Sequence, residues 1–170
     1  MSSSVLPTNY WRPDASAMGD ALARALHVLS IVVWIGGVAF VTLVVMPSIR
    51  RGYPPAERLA VFRRFEEHFA PQARIWVLIA GASGLWMVYR SQMWGRFIDP
   101  RFWWMHAMVC LWAIFALMLF VIEPLAHHHR TAGAVHPTRD FVRMERLHRI
   151  VLLLSVATIM GAAAGSHGLL

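Results

Sequence analysis

The sequence contains no lysine and a single cysteine, and these two absences exclude several kinds of chemistry. All 16 basic residues are arginines. Schiff-base catalysis, a lysine general base and a P-loop each require a lysine amine, so the chain has none of them. Cys110 lies in an apolar stretch without a second cysteine to pair with. The sequence therefore holds no disulfide framework and no thiolate metal cluster.

Charge is also scarce: 15% of the 170 residues are charged and 58% are hydrophobic. A soluble domain typically has about 25% charged residues. Four stretches lack charged residues altogether, and most approach the roughly 20 residues with which a helix crosses a bilayer. These stretches are 25–49, 75–89, 102–122 and 150–170. We therefore expect an integral membrane protein whose main partner is the lipid bilayer.

The predicted fold is an all-α membrane protein, a four-span up-and-down transmembrane helix bundle with a short interfacial amphipathic helix. Residues 1–20 are expected to form an irregular leader, and 21–170 a single transmembrane domain. The predicted spans are 21–46, 71–89, 102–122 and 147–168.

Individual residues predict where these elements begin and end. Asp20 is suited to begin the first span, and Pro47 is expected to close it. Residues 50–69 place apolar side chains on one face of a helix and charged ones around it, which is typical of an interfacial helix. Pro71 then suits the first turn of the second span.

The arginines indicate the orientation of the spans. Five fall on the side of the leader and of the loop between the second and third spans, and the other eleven on the opposite side. Because cytoplasmic loops carry the excess of basic residues, we expect both termini outside a bacterial inner membrane. The net charge of +7 therefore reflects membrane orientation, and nucleic acid is not an expected partner.

Nine histidines cluster at the ends of the predicted spans. In an up-and-down bundle the first and third helices lie diagonally across the axis, as do the second and fourth. This geometry pairs His27 with His106 at the outer end and His68 with His148 at the inner end. Two imidazoles on facing helices suit the axial positions of a six-coordinate haem iron. The sequence predicts one haem b, or two if the inner pair also binds.

Other interpretations of these residues stay open. A histidine in a span can instead hydrogen-bond to a neighbouring helix, and glycines in the spans permit close helix contact as well as a flat macrocycle. Copper is the alternative cofactor, because thioether sulfur is a soft ligand that Cu(I) favours. Met105, Met108 and His167 would join His27 and His106 in such a site. The run of histidines at 127–129 resembles a metal clip, although adjacent residues at a helix end point in different directions.

Several short motifs resemble the copper-resistance D (CopD-like) membrane proteins. They are Ala-Leu-His-Val at 25–28, Val-Trp-Ile-Gly-Gly at 33–37, Gly-Ala-Ser-Gly-Leu at 81–85 and Trp-Met-His at 104–106. HemJ-type protoporphyrinogen oxidases have a similar plan, including a Gly-Leu-Trp-Met that stands here at 84–87. The resemblance implies a membrane protein that binds haem b or handles copper through His27 and His106. HemJ-like enzymes carry a lysine where this chain has Met108, which argues against porphyrinogen oxidation.

The residues and the resemblance together favour an integral membrane b-type haem protein with bis-histidine ligation. It would carry electrons within or across the membrane and exchange them with a quinone or a partner redox subunit. A second copy of the chain is an alternative protein partner. The alternative functions are a copper-handling membrane protein without haem, and a structural accessory subunit of a respiratory complex.

Overall fold

A computed structural model describes residues 14–125 and 136–167 of the chain, and within these ranges every regular element is helical. The histidines at 127–129 lie outside the described residues. The elements are helix α1 (Ala15–Phe40), a π-helical segment (Val41–Val45), helix α2 (Met46–Gly52), helix α3 (Arg58–Arg90), two 3-10 turns (Met93–Phe97 and Pro100–Phe102), helix α4 (Trp103–Leu117), a second π-helical segment (Met118–Ile122) and helix α5 (Pro137–Ser166).

Successive long helices run in opposite directions, as three contacts between their ends show. Arg90, at the end of α3, lies 3.3 Å from the carboxylate of Asp20 near the start of α1. Arg50 in α2 lies 3.4 Å from the carboxylate of Glu145 in the first half of α5. Trp103, at the start of α4, packs on Gly161 near the end of α5. We call the two ends of the molecule the Arg90 end and the Arg50 end.

Three helical stretches are long and apolar enough to cross a membrane: Ala15–Gly52, Pro100–Leu125 and Pro137–Ser166. Large apolar side chains cover their outer faces. Leu153 is 70% exposed and Met160 is 67% exposed, for example. A contiguous apolar exterior of this kind needs lipid to cover it. The all-α class and a membrane-spanning chain thus agree with the sequence prediction. Helix α3, which has charged residues in its first half, is not among the three stretches that are apolar enough to cross a membrane.

Two helices begin earlier than predicted. Helix α1 begins at Ala15, so that Asp20 lies inside the helix and is available to pair with Arg90. Helix α5 begins at Pro137, where the fixed φ of proline suits the first helical turn. Both predicted starts were placed at the onset of the apolar stretch, and hydropathy does not register the polar turns that precede it.

The predicted interfacial helix and second span are one continuous helix, and the predicted start at Pro71 is wrong. Pro71 lies inside α3. A proline in a helix lacks the N–H that would bond to the carbonyl four residues earlier. That carbonyl belongs to Glu67, an exposed residue, where water or a lipid headgroup can replace the missing donor. The loss is therefore small, and the helix continues.

Pro47 does not end the first span either, because a π-helical segment precedes it. The Met46 N–H donates to the carbonyl of Val41, five residues earlier, and the chain continues as a helix to Gly52. The same arrangement recurs before Pro124, where the Glu123 N–H donates to the carbonyl of Met118. In both places the widened turn carries the helix past a residue that has no N–H.

The interior has a central cluster and a smaller cluster at the Arg50 end. The central cluster includes Trp34, Val77 and Phe115, and its rings of Trp34 and Phe115 meet edge to face at 4.6 Å. The smaller cluster includes Met46, Phe62 and Phe141. Trp112 is half-buried and packs against the central cluster.

Five hydroxyl residues are buried inside the bundle. Each donates its hydroxyl hydrogen to the carbonyl four residues earlier in its own helix, so none of these hydroxyl groups lacks a partner. These residues are Ser30, Thr42, Ser83, Ser155 and Thr158.

Replacing Gly81 with alanine is expected to lower the free energy of unfolding by about 1–3 kcal/mol, because overpacking forces a shift. A Cβ at Gly81 would lie 2.7 Å from the indole of Trp112. That indole cannot retreat freely, because its Nε1–H donates to the Val77 carbonyl at 2.8 Å. The matched control is Gly36→Ala, since nothing lies within 4 Å of a Cβ at that position.

The measurement is reversible unfolding of both variants in the same detergent micelle. Gly36→Ala should leave the free energy of unfolding unchanged or raise it by up to about 1 kcal/mol, the difference in helix propensity. Equal stability of the two variants would contradict the packing of Trp112 on Gly81.

Candidate functional site

The imidazole of His27 is half-buried between α1 and α3 near the Arg90 end. Its Nδ1 lies 2.9 Å from the carbonyl of Ala80 and 3.2 Å from the hydroxyl of Ser83. A carbonyl only accepts, so in the neutral ring Nδ1 carries the proton and Nε2 carries the lone pair. A Cβ at Gly84 would lie 3.0 Å from Cε1 of this ring, so the glycine makes room for the imidazole.

His106 lies in the first turns of α4, at the same end of the molecule, but it is exposed and both of its ring nitrogens face carbonyls. Nε2 lies 2.9 Å from the carbonyl of Phe97, and Nδ1 lies 3.3 Å from the carbonyl of Phe102. A neutral imidazole has one N–H and therefore serves one of these carbonyls at a time. The Phe97 ring also meets the imidazole edge to face at 5.7 Å.

The turn that carries Phe97 is held by its own polar contacts. The carboxylate of Asp99 accepts hydrogen bonds from the backbone N–H and the guanidinium of Arg101. The side-chain bond from Arg101, reinforced by the one from its backbone, holds the pKa of the Asp99 carboxyl below its usual value. The guanidinium of Arg96 stacks over the Phe102 ring at 5.0 Å. These contacts stabilise the segment between Arg96 and Phe102, and with it the position of the Phe97 carbonyl beside His106.

The two histidines predicted at the inner end have different surroundings. His68 is exposed on α3, and its Nδ1 lies 2.8 Å from the carbonyl of Arg64 in the preceding turn. His148 is half-buried on α5, where its Nδ1 lies 3.0 Å from the Met144 carbonyl and its ring meets Phe62 edge to face at 5.5 Å. An apolar cavity lies between α1, α3, α4 and α5 toward the Arg50 end, and of this pair only His148 lines it.

The residues named for copper are spread over two helices. Met105 is buried in α4 and Met108 is half-buried. His167 is exposed at the end of α5, with Nδ1 2.8 Å from the Ala163 carbonyl. Within residues 14–125 and 136–167, no three histidine, cysteine or acidic side chains come close enough together to hold a metal ion.

Arg74 and Glu123 act together at the second π-helical segment, an arrangement that the sequence analysis did not predict. The Leu119 carbonyl could accept from the N–H of Glu123 or of residue 124. The Glu123 N–H already donates to the Met118 carbonyl and Pro124 has no N–H, so the Leu119 carbonyl lacks a backbone donor. The Nε–H of Arg74 donates to that carbonyl at 3.0 Å, and a second guanidinium nitrogen lies 3.3 Å from the Glu123 carboxylate. An isolated arginine within an apolar helix and a proline near a span end are the sequence signals of this arrangement.

His27 and His106 differ in how well their ring nitrogens suit a haem. His27 suits it, because an axial histidine typically donates its second ring N–H to a carbonyl and keeps the other nitrogen for the metal. His106 suits it only after Nε2 leaves the Phe97 carbonyl. The glycines considered for a macrocycle mostly receive protein rings instead. Phe69 packs on Gly37, Trp112 on Gly81, Trp103 on Gly161 and Trp104 on Gly165.

Replacing Arg74 with glutamine should lower the free energy of unfolding by about 1–3 kcal/mol, the range for a buried polar group that loses its partner. The change removes the countercharge of Glu123, whose side chain is only 14% exposed, while the glutamine amide can still donate to the Leu119 carbonyl. Arg64→Gln, an exposed position on the same helix, is the matched control and should change stability by less than about 0.5 kcal/mol.

Unfolding of the two variants in one detergent gives the comparison. The double variant Arg74→Gln/Glu123→Gln should recover most of the loss, because it also removes the uncompensated carboxylate. If Arg74→Gln and Arg64→Gln are equally stable, the ion pair of Arg74 with Glu123 does not contribute to stability.

No protein-family model, curated protein or solved structure matches this chain. The likeness to CopD-like and HemJ-like proteins therefore rests on the short motifs of the sequence.

Proposed function

We propose that this chain is an integral membrane b-type haem protein that carries electrons within or across the membrane. The observation that carries the proposal is the environment of His27: its Nδ1 lies 2.9 Å from the Ala80 carbonyl, and within the described residues its Nε2 makes no hydrogen bond. A histidine fixed in this tautomer, half-buried among apolar helices, presents one lone pair to a metal.

His106 is the second residue that would hold the haem, together with His27. Its Nδ1 already lies 3.3 Å from the Phe102 carbonyl in the preceding turn, which is the kind of contact that His27 makes with Ala80. Exchanging the Phe97 carbonyl for iron at Nε2 would leave the Nδ1–H on Phe102. The exchange displaces one hydrogen bond of 2.9 Å. The turn Met93–Phe97 is therefore the part of the protein that adjusts on ligation.

The inner pair supports a second haem less directly. His148 has its Nδ1 on the Met144 carbonyl and a ring nitrogen to spare, but His68 is exposed and does not line the same cavity. We therefore propose one haem at the Arg90 end as the minimum, and we treat His68 and His148 as the ligands of a second.

The setting of this function is a four-span bundle in the bacterial inner membrane with both termini outside. Haem supplies a one-electron couple, and the surrounding helices supply the apolar environment that tunes its potential. Helix α3, the fourth long helix, would span through its second half, from Pro71 onward, where the only charge before Arg90 is Arg74. The proposed exchange partner is a quinone or a redox protein, and a copper-handling role is the alternative.

His27→Ala and His106→Ala should each remove the low-spin b-type bands from the dithionite-reduced minus oxidised spectrum. Each variant takes away one axial nitrogen, and a five-coordinate haem loses the low-spin signature or dissociates. His167→Ala is the matched control, since it is an exposed histidine at the same end of the molecule and should leave the spectrum unchanged. Haem content by pyridine haemochrome and copper content are measured on the same samples.

The remaining variants decide the number of sites. If two haems are present, His148→Ala removes about half of the haem. If there is one, it leaves the content unchanged. Unaltered spectra in both His27→Ala and His106→Ala would contradict the proposal. A folded, haem-replete wild-type protein that is colourless but contains stoichiometric copper would establish the copper alternative instead.

A further inference from the structure

A cavity of about 170 Å³ lies between α1, α3, α4 and α5 toward the Arg50 end, separate from His27 and His106. Its walls are mostly apolar and aromatic, with Phe62, Phe69 and Phe115 among the lining residues. An apolar cavity of roughly 150 Å³ stays dry and accepts a benzene ring. The space therefore suits one substituted six-membered ring.

The cavity reaches the lipid-facing surface. Phe40, Phe65 and Leu147 line it and are 58%, 52% and 40% exposed, respectively. In a membrane these side chains meet acyl chains rather than water. An occupant would thus enter sideways from the bilayer and could leave a long apolar tail between the three residues, which favours a lipid-soluble ligand over a water-soluble one.

The cavity wall also holds an unused hydrogen-bond donor. Trp34 lines the cavity and is only 4% exposed, and its Nε1–H is the one buried side-chain polar atom without a partner in the part of the chain that the structure describes. A buried N–H that makes no hydrogen bond costs stability, so native proteins rarely leave one unpaired. An oxygen acceptor inside the cavity would satisfy it.

A hydrogen-bond acceptor lines the same cavity. His148 donates its Nδ1–H to the Met144 carbonyl, which leaves Nε2 with a lone pair that accepts from a hydroxyl. The carboxylates of Glu66 and Glu123 also line the cavity and disfavour an anionic occupant. The complementary ligand is a neutral flat ring with oxygen substituents that accept from an N–H and, when reduced, donate from a hydroxyl.

We propose that this cavity binds the head group of a membrane quinone or quinol. Trp34 donates to a ring oxygen through Nε1–H, and His148 accepts from the hydroxyl of the reduced form through Nε2. This inference deepens the proposed function by locating the exchange partner of the haem. Binding itself does not require the haem, so the two proposals can fail separately.

The test is calorimetric titration of the detergent-purified protein with decylubiquinone and with decylubiquinol. Trp34→Phe keeps an aromatic ring but removes the N–H, and it should weaken binding of both forms about fivefold to tenfold, as expected for one hydrogen bond. His148→Phe should weaken binding of the quinol more than binding of the quinone. Trp112→Phe is the matched control, because its N–H donates to Val77 and it does not line the cavity.

A second variant tests the location without relying on hydrogen bonds. Ala73 is buried in the cavity wall, and Ala73→Leu should fill the space and abolish saturable binding of both probes. Decylbenzene, which has the ring and the tail but no oxygen, should bind at least tenfold more weakly than decylubiquinone. Comparable affinity for decylbenzene, or wild-type affinity in Trp34→Phe, would overturn the proposal.

The haem-free variant His27→Ala separates this proposal from the proposed function. Unchanged quinone affinity in that variant is expected, since the cavity is built from other residues. Quinone binding in a protein that never contains haem would leave the quinone site standing and refute the haem. A haem protein in which no variant affects quinone affinity would do the reverse.

Discussion

Polar groups inside this bundle need partners within the protein, because lipid supplies none. Prolines make the requirement acute, since each removes one N–H from its helix. Two prolines are accommodated by π-helical segments, and at the second segment Arg74 supplies the donor that the Leu119 carbonyl lacks. The same guanidinium reaches Glu123, so one side chain serves both a carbonyl and a carboxylate. The helix therefore continues to Pro124 without leaving the Leu119 carbonyl unpaired.

Aromatic rings seated on glycines bring the helices together at the Arg90 end. Trp103 and Trp104 of α4 rest on Gly161 and Gly165 of α5, and Trp112 rests on Gly81 of α3. The indoles occupy space that a side chain would fill. In the same half of the molecule, His27 lies half-buried between α1 and α3 with its Nδ1 on Ala80. Haem ligation and quinone binding are thus proposed at opposite halves of the bundle, and Trp34 and Phe115 of the central cluster form part of the cavity wall.

Much of the fold was predictable, and the errors share one cause. Hydropathy identified apolar helices at α1, α4 and α5, because the cost of exposing or burying a side chain depends largely on that side chain alone. The predicted helix boundaries at Asp20, Pro47 and Pro71 were wrong because they were based on local preferences of helix caps and prolines. In the structure Asp20 pairs with Arg90 instead of capping a helix, and the helices continue past both prolines. Of the predicted ligands, His27 and His148 have half-buried rings whose Nδ1 is on a carbonyl, whereas the position of His68 on the exposed face of α3 was not foreseeable without knowing how α3 is rotated.

The sequence by itself determined that the helices are apolar enough for a membrane. It also excluded chemistry that requires a lysine or a pair of cysteines, because the chain has no lysine and a single cysteine. It did not determine where the histidines lie relative to the helix ends, since His27, His68 and His148 lie well inside α1, α3 and α5. Only the tertiary structure decided which nitrogen of each imidazole is free. That choice depends on a carbonyl from another helix, 53 residues away for His27, or from a neighbouring turn, as for Phe97 beside His106. Contacts of this kind follow from the rotation and spacing of packed helices, which no local pattern specifies.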